Sequence, residues 1–258
     1  MKKISFLFLI ILLSACAIDA TKKENFEETK LISSISDKYI GIELNNSYQW
    51  LGIPYAEPPQ GSLRWKAPRA LSNQMEVFRA LKFSDSCPQV PSISLDRGRK
   101  GGYTGSEDCL YLNIFTPKKI SSDKKLPVMF WIHGGGNTSG EAASYDFSKL
   151  ASAHELVIVS INYRLGFLGW FYHPSFAATS NNLEDKSGNF GTLDQIMALK
   201  WVKQNIEDFG GDKNNVTIFG ESAGGHNVFA LLSSPLAKGL FHKAISQSGA
   251  TNTFSLKE

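Results

Sequence analysis

The 258-residue chain is long enough for one large domain or two small ones, and its composition excludes several classes of protein. With 42% hydrophobic and 20% charged residues it can bury a core, which argues against wholesale disorder. The net charge of +3 argues against the strongly basic surface of a nucleic-acid-binding protein. No apolar run reaches the roughly 20 residues that a membrane-spanning helix needs.

The first sixteen residues have the pattern of an export signal. Two lysines precede an apolar stretch that is too short to span a membrane, and small residues follow it. The sequence Leu13-Ser14-Ala15-Cys16 is similar to a bacterial lipobox, in which the cysteine is lipidated and becomes the mature N-terminus. We therefore predict a signal peptide over residues 1–15, a lipid anchor on Cys16 and a solvated tether over residues 16–36. The alternative is an ordinary secretory signal that contains a cysteine by chance.

The predicted anchor implies an exported protein of the bacterial cell envelope. By the convention for such signals, Ala17 after the lipidated cysteine favours the outer membrane. Export permits disulfides, and with Cys16 lipidated, Cys87 and Cys109 remain as an even pair. A crosslink between them is therefore favoured over two free thiols. No group of cysteines and histidines has the spacing of a zinc site, so we predict no metal.

Six short runs rich in apolar, β-branched and aromatic residues predict strands. Continuous apolar runs suit strands that are covered on both faces, as in a parallel sheet packed between helices. The six runs are residues 48–53, 111–116, 126–133, 156–163, 215–219 and 244–247.

The clearest helical pattern covers residues 192–209, where apolar residues recur at helical spacing. Thr192 and Gln195 resemble a capping box at its start, and Gly210 with Gly211 predicts its end.

Shorter helices are predicted over residues 146–154 and directly after Ser222. Stretches rich in glycine and serine predict loops over residues 96–106 and 176–191. Because strands alternate with helices, we predict an α/β fold, with residues 37–258 as one domain.

The pentapeptide Gly220-Glu221-Ser222-Ala223-Gly224 carries the strongest chemical signal. It lies between a predicted strand and a predicted helix. A nucleophilic serine needs a sharp turn that admits only small neighbours, exposes its Oγ and directs the next backbone N–H at the developing oxyanion. Ser222 is therefore the predicted nucleophile.

The glycine-rich stretch His133-Gly134-Gly135-Gly136 follows a predicted buried strand. Glycines there let the backbone approach a substrate closely and direct N–H groups at an oxygen atom. A flexible turn is the alternative. The place of the stretch, at the end of a strand and upstream of the serine turn, favours an oxyanion loop.

Together with other stretches, these motifs resemble the N-terminal half of a type-B carboxylesterase, the family that includes the cholinesterases. The resemblance implies an α/β-hydrolase fold, here incomplete and ending after the nucleophile elbow. It runs in order from about residue 40 to residue 250. The other matching stretches include residues 51–59, 63–65, 106–114, 162–164, 188–191, 209–212, 216–219 and 247–249.

The resemblance implies a role for each site residue. Ser222 matches the acyl-forming nucleophile, while Gly135, Gly136 and Ala223 match three oxyanion donors. The implied substrate is a small-molecule carboxylic ester, and no cofactor is implied. Three residues would line the active site: Glu221, His133 and Asn137.

Other positions agree with or depart from the family pattern. Cys87 and Cys109 match a family disulfide, and Arg64 with Glu107 matches a structural salt bridge. Asn137 stands where many relatives carry an aromatic residue, which leaves the acyl preference open. No tryptophan lies between the two cysteines, where choline-binding relatives use one for cation–π contact, so a cholinesterase specificity is disfavoured.

A serine nucleophile needs a base and an orienting acid, and in α/β-hydrolases both follow the serine. Glu258 is the one acidic residue after Ser222, and a surface or packing role is favoured for each of the five histidines. We therefore expect a truncated esterase with negligible turnover of its own, whose acid and histidine lie in a missing C-terminal half or a second chain. A non-catalytic cell-surface binding module or an inactive gene remnant of the same fold is the alternative.

Overall fold

The structure, a computed structural model, describes residues 27–29, 32–33, 38–72, 77–90, 102–119 and 125–251. The predicted signal peptide and Cys16 lie outside the described residues. Two short strands fall within the range predicted as a tether, and both pair with strands of the domain. The paired part of the described chain therefore begins at Glu27.

The described residues form one large mixed sheet and one small sheet. The strands are β1 (Glu27–Glu28), β2 (Ile32–Ser33), β3 (Lys38–Ile40), β4 (Ile42–Glu43), β5 (Ser47–Pro54), β6 (Phe78–Arg79), β7 (Tyr111–Pro117), β8 (Leu126–Ile132), β9 (Val157–Ile161), β10 (Gly211–Glu221) and β11 (Lys243–Gln247). The large sheet has the order β1-β4-β5-β7-β9-β8-β10-β11, and the small sheet has the order β2-β3-β6. All six predicted runs form strands. The sheet is parallel only from β9 through β8 and β10 to β11, because β1, β4, β5 and β7 pair antiparallel.

The helices of the described residues are short apart from α4 and α5. They are α1 (Ser148–His154), α2 (Gly166–Gly169), α3 (Pro174–Thr179), α4 (Phe190–Asn205) and α5 (Ala223–Ser233). Single 3₁₀ turns lie at Gly61–Leu63, Ala142–Ser144, Glu184–Lys186, Ile206–Phe209 and Pro235–Ala237. Among these helices none is both long enough and apolar enough to cross a membrane.

Two local predictions need correction. The long helix begins at Phe190, and its N-cap Asn189 makes no side-chain capping bond, so the capping box predicted at Thr192 is wrong. Helix α3 interrupts the loop that was predicted over residues 176–191. The signal for it was present, because Pro174 occupies the first turn and the His173 side chain accepts a hydrogen bond from the Ser175 N–H.

Helices cover both faces of the sheet. Phe130 and Ile132 of β8 lie in a core shared with α4 and α5, whereas Trp131 between them lies in a second core shared with α1. Successive side chains of a strand point to opposite faces, so a continuous apolar run is buried on both.

The sheet brings the two glycine-containing motifs together. In the parallel pair of β8 and β10, Ile132 lies opposite Gly220. Because parallel strands end at the same edge of a sheet, the loop after β8 and the turn after β10 emerge side by side. His133 and Ser222 begin those two segments.

Candidate active site

Ser222 occupies a strained turn between β10 and α5. Its φ of 55° and ψ of −120° lie in a region that residues other than glycine seldom adopt. Its N–H donates to the carbonyl oxygen of Gln247 at 2.8 Å, and its own carbonyl oxygen accepts the N–H of His226 at 3.0 Å. The turn is therefore held by the neighbouring strand on one side and by the first turn of α5 on the other.

The two glycines of the pentapeptide are required by close packing. A Cβ on Gly224 would lie 2.0 Å from the carbonyl oxygen of Ile132, and a Cβ on Gly220 would lie 2.8 Å from the same oxygen. Both distances are too short for a carbon atom. The end of β8 and the start of α5 thus approach each other as closely as backbone permits.

The glycine loop, residues 133–140 after β8, lies directly beside Ser222. A Cβ on Gly134 would lie 3.2 Å from the Cβ of Ser222. Gly135 has a φ of 102°, and its carbonyl oxygen accepts the N–H groups of Thr138 and Ser139 at 3.1 and 3.0 Å, which closes a tight turn.

Three backbone donors near the serine have no acceptor among the described residues. They are the N–H groups of Gly135, Gly136 and Ala223, the three predicted oxyanion donors. Gly135 and Gly136 are exposed to solvent, whereas Ala223 begins α5, where the first N–H groups of a helix have no partner in the helix itself. Free N–H groups at a helix start and in a glycine loop form a site that favours a negatively charged oxygen.

His133 lies behind the loop. It is 1% exposed, and its ring stacks on Tyr163 with a centroid distance of 4.4 Å. Nδ1 lies 2.8 Å from the carbonyl oxygen of Gly134, and because a carbonyl only accepts, Nδ1 carries the proton. Burial lowers the pKa of His133 to about 4, so the ring is neutral at pH 7 and supports the loop.

The other two predicted lining residues, Glu221 and Asn137, have different surroundings. Glu221 is exposed, and a Cβ on Gly134 would lie 2.9 Å from its Oε2. Asn137 is half-buried with a φ of 58°, and its side-chain amide bonds that of Asn227 on α5. Glu221 therefore offers a carboxylate at the surface of the site, while the amide of Asn137 is already engaged.

No described residue forms a hydrogen bond to the hydroxyl of Ser222. His226 is exposed rather than buried, and its Nδ1 lies 2.9 Å from the carbonyl oxygen of Ser222, not from Oγ. His242 precedes β11, and its Nδ1 accepts the N–H of Val216 at 3.1 Å. The site thus brings together the predicted nucleophile and the three predicted oxyanion donors, and no described residue is in place to act as a general base.

The predicted disulfide and salt bridge are both present. Cys87 and Cys109 are bonded, with Cα atoms 5.1 Å apart, and both are buried. Arg64 makes a two-pronged contact with Glu107 at 2.5 and 2.6 Å. The disulfide loop also reaches the glycine loop.

This contact is made by Gln89, two residues after Cys87. Its Nε2 donates to the carbonyl oxygen of Gly140 at 3.0 Å, and its Oε1 accepts the Gly140 N–H at 2.8 Å. The far end of the glycine loop is therefore attached to the disulfide loop.

Comparison with known proteins identifies the fold and the family. A family model described as the carboxylesterase family matches residues 34–258. The chain belongs to the carboxylesterase family. Para-nitrobenzyl esterase of Bacillus subtilis (strain 168) is 46% identical over 231 residues, and liver carboxylesterase 1F of Rattus norvegicus is 41% identical over 257 residues. These matches cover 89% and 95% of this chain but 45% and 44% of the relatives, so this carboxylesterase-family chain spans about half of their length.

Solved structures agree. A thermophilic PNB esterase has a TM-score of 0.78 and 46% sequence identity, over 88% of this chain and 46% of that one. A Geobacillus stearothermophilus carboxylesterase has a TM-score of 0.72 and 38% identity, over 84% of this chain and 42% of that one. The predicted α/β-hydrolase fold is confirmed, and this carboxylesterase-family chain covers part of it.

Sequence reasoning missed Tyr163 and Asn227, whose side chains hold the glycine loop. The sequence places Tyr163 in a stretch that matches the family and predicts no separate role for it or for Asn227. The available signal was Asn137, because an asparagine in a left-handed turn after glycines tolerates that conformation and brings an amide that needs partners.

Proposed function

We propose that this chain supplies the nucleophile and the oxyanion donors of a serine carboxylic-ester hydrolase. One observation carries the proposal: Ser222 stands in a strained turn beside a glycine loop, and three N–H groups around it have no acceptor among the described residues. Strain at a residue other than glycine is costly in a structure that makes no use of it, and open N–H groups beside that residue can bind a negatively charged oxygen. Membership of the carboxylesterase family supports the same reaction.

The proposed reaction is acyl transfer in two steps. Ser222 Oγ attacks the ester carbonyl carbon and passes its proton to a base, while the carbonyl oxygen takes negative charge. The N–H groups of Gly135, Gly136 and Ala223 bind this oxyanion, and the alcohol leaves with the proton. Water then attacks the acyl-enzyme, which releases the carboxylic acid and restores the Ser222 hydroxyl.

We propose that the base and its orienting acid come from residues other than those described, in a C-terminal part of the protein or in a second chain. The open side of the sheet supports this. Strand β11 is the last strand of the large sheet, and its Ile245 is 46% exposed. An uncovered edge strand presents backbone groups to which a further strand can add.

The proposed location is the bacterial cell envelope, with the protein held to the outer membrane through a lipidated Cys16. The lipobox-like sequence before Cys16 supports this proposal, and a buried disulfide agrees with an oxidising compartment. The proposed substrate is a small-molecule carboxylic ester, in line with the names of the relatives.

Labelling with a fluorophosphonate probe tests the proposed nucleophile, because the probe reacts only with an activated serine. We would treat cells that carry the full gene and compare wild type, Ser222→Ala and Ser233→Ala, where Ser233 is an exposed serine on α5. We expect labelling of wild type and Ser233→Ala and none of Ser222→Ala. Equal labelling of Ser222→Ala contradicts the proposal, and a folded wild-type protein without labelling supports the non-catalytic binding module instead.

A further inference from the structure

Two asparagines tie the glycine loop to the helix that follows Ser222. Asn227 Nδ2 donates to Asn137 Oδ1 at 2.9 Å, and in return Asn137 Nδ2 lies 3.4 Å from Asn227 Oδ1. Asn227 is buried in α5, five residues after the serine. Their amides therefore join the oxyanion loop directly to the element that carries the nucleophile.

Tyr163 holds the other end of the loop. Its hydroxyl donates to the carbonyl oxygen of His133 at 2.6 Å and lies 3.4 Å from Asn137 Oδ1. Tyr163 is fully buried, and burial raises the pKa of its hydroxyl well above the usual range, so it stays a donor. One buried tyrosine thus contacts the loop both before and after its glycines.

The glycines themselves have no side chains with which to fix their orientation. Asn137 after them is held in a left-handed conformation, with a φ of 58°, and its carbonyl oxygen accepts the N–H of Gly166 at 2.6 Å. The directions of the Gly135 and Gly136 N–H groups therefore depend on the residues that hold both ends of the loop. Because an oxyanion donor must lie within about 0.2 Å of its best distance to be effective, small shifts of these anchors matter.

We propose that Asn137 and Asn227 are positioning residues for acyl transfer, which hold the Gly135 and Gly136 N–H groups at a fixed distance from Ser222 Oγ. The inference rests on the proposed function. It goes beyond that function because it assigns a purpose to an amide pair that touches neither the serine hydroxyl nor the oxyanion. The pair links two segments 90 residues apart, one in the glycine loop and the other in the helix that follows Ser222.

A double-mutant cycle tests the pairing. We would measure hydrolysis of p-nitrophenyl acetate by the protein together with the part or second chain that supplies the base. The proteins compared are wild type, Asn137→Ala, Asn227→Ala and the double variant. Each single change should lower kcat by about 10-fold to 100-fold with KM changed less than about twofold, since the loss falls on the transition state. The double variant should be no slower than the slower single variant, because the two residues act as one unit.

A thionoester separates positioning from simple loss of stability. Sulfur in place of the carbonyl oxygen accepts hydrogen bonds poorly, so the rate with the thionoester depends less on the oxyanion donors. The ratio of ester to thionoester rates should therefore fall in Asn137→Ala and Asn227→Ala. Asn205→Ala is the matched control, because Asn205 is also a buried helical asparagine, and its side chain bonds the Trp201 carbonyl oxygen at 2.9 Å and no other described residue. The ratio of ester to thionoester rates in Asn205→Ala should equal that of wild type.

The outcomes distinguish this inference from the proposed function. Full activity of Ser222→Ala, or no hydrolysis by the folded wild type together with the part or second chain that supplies the base, would overturn the proposed function and this inference with it. If Ser222→Ala is inactive while Asn227→Ala keeps the wild-type kcat and rate ratio, the proposed function stands and the positioning role is wrong. Equal losses with ester and thionoester would show that the pair merely stabilises the fold.

Discussion

The backbone N–H of Ser222 donates to the carbonyl oxygen of Gln247, the last residue of β11, at 2.8 Å. The ladder between β10 and β11 ends one residue earlier, where Glu221 lies opposite Gln247. The serine turn therefore continues the hydrogen bonding of the sheet. Because of this, the edge strand helps to fix the strained conformation of Ser222, the proposed nucleophile.

The tight contact between the serine turn and β8 leads to the first prediction. Gly224→Ala would place a methyl group 2.0 Å from the carbonyl oxygen of Ile132, so β8 and α5 would have to separate. We expect fluorophosphonate labelling to fall at least about 100-fold and the free energy of unfolding to fall by about 3 kcal/mol or more.

Gly239→Ala is the control for that variant. Gly239 has a left-handed φ of 74°, yet the nearest atom to an added Cβ is 4.0 Å away. We expect Gly239→Ala to lower the free energy of unfolding by roughly 1 kcal/mol, the cost of an alanine in a left-handed conformation, and to be labelled at the wild-type rate. Labelling of Gly224→Ala at the wild-type rate would contradict the proposed packing of the turn.

A buried ion pair behind the site gives the second prediction. The guanidinium of Arg164 contacts both carboxylate oxygens of Asp194 at 2.7 and 2.8 Å, and both side chains are almost fully buried. Asp194→Ala would leave the arginine buried without its partner, which should lower the free energy of unfolding by about 3–5 kcal/mol in urea titrations.

The matched surface pair is Lys213 with Glu207, 2.8 Å apart and about 40% exposed on each side. Glu207→Ala should cost less than about 1 kcal/mol, since water screens an exposed pair. Similar losses in Asp194→Ala and Glu207→Ala would argue against the buried pair as a structural anchor.

The third prediction concerns the effect of acidic pH on the stability of the fold through His133. Burial lowers the pKa of His133 to about 4, whereas an unfolded histidine titrates near 6.5. Between these values the unfolded chain binds a proton that the folded chain does not, so this histidine makes folding less favourable as pH falls from about 6.5 to about 4. This loss of folding free energy is complete below the folded-state pKa of about 4.

His133→Phe keeps an aromatic ring against Tyr163 and removes the titrating group. We would measure the free energy of unfolding by urea titration at pH 7.5 and pH 4.5. On acidification it should fall by about 2–3 kcal/mol more in wild type than in the variant. Identical acid losses in the two proteins would mean that His133 is not buried in its neutral form.

The disulfide gives the fourth prediction. Cys87 and Cys109 enclose a loop with a sequence separation of 22, which corresponds to about 3 kcal/mol of stabilisation in the chain-entropy model. Dithiothreitol should therefore lower the urea midpoint of wild type to that of a Cys87→Ser, Cys109→Ser double variant, whose own midpoint should not respond. A wild-type midpoint insensitive to dithiothreitol under denaturing conditions would contradict this.

Reduction should also affect reactivity, because Gln89 in the disulfide loop holds both backbone groups of Gly140 at the end of the glycine loop. We expect slower fluorophosphonate labelling of the reduced protein. Gln89→Ala with an intact disulfide should reproduce the slower labelling while keeping most of the stability.

Local patterns predicted the elements that carry the site. The strand β8 could be predicted from its continuous apolar run, because burial on both faces shows in successive residues. The turn at Ser222 could be predicted from its pentapeptide, because a sharp turn needs small residues directly beside the serine. The start of α4 was misplaced because Gln195, which suggested a capping box, is buried inside the helix. The runs that form β5 and β7 predicted strands, but no local pattern predicted that these two strands pair antiparallel.

By itself, then, the sequence determined the α/β class, the sharp turn at Ser222, the glycine loop and the pairing of Cys87 with Cys109. The tertiary structure alone decided which side chains hold that loop, namely Asn227, Tyr163 and Gln89. The physical reason is the range of the interactions. Steric limits and hydrophobic periodicity are set by neighbours in the chain, whereas a hydrogen bond between residues 90 positions apart depends on the packing of the whole sheet and its helices.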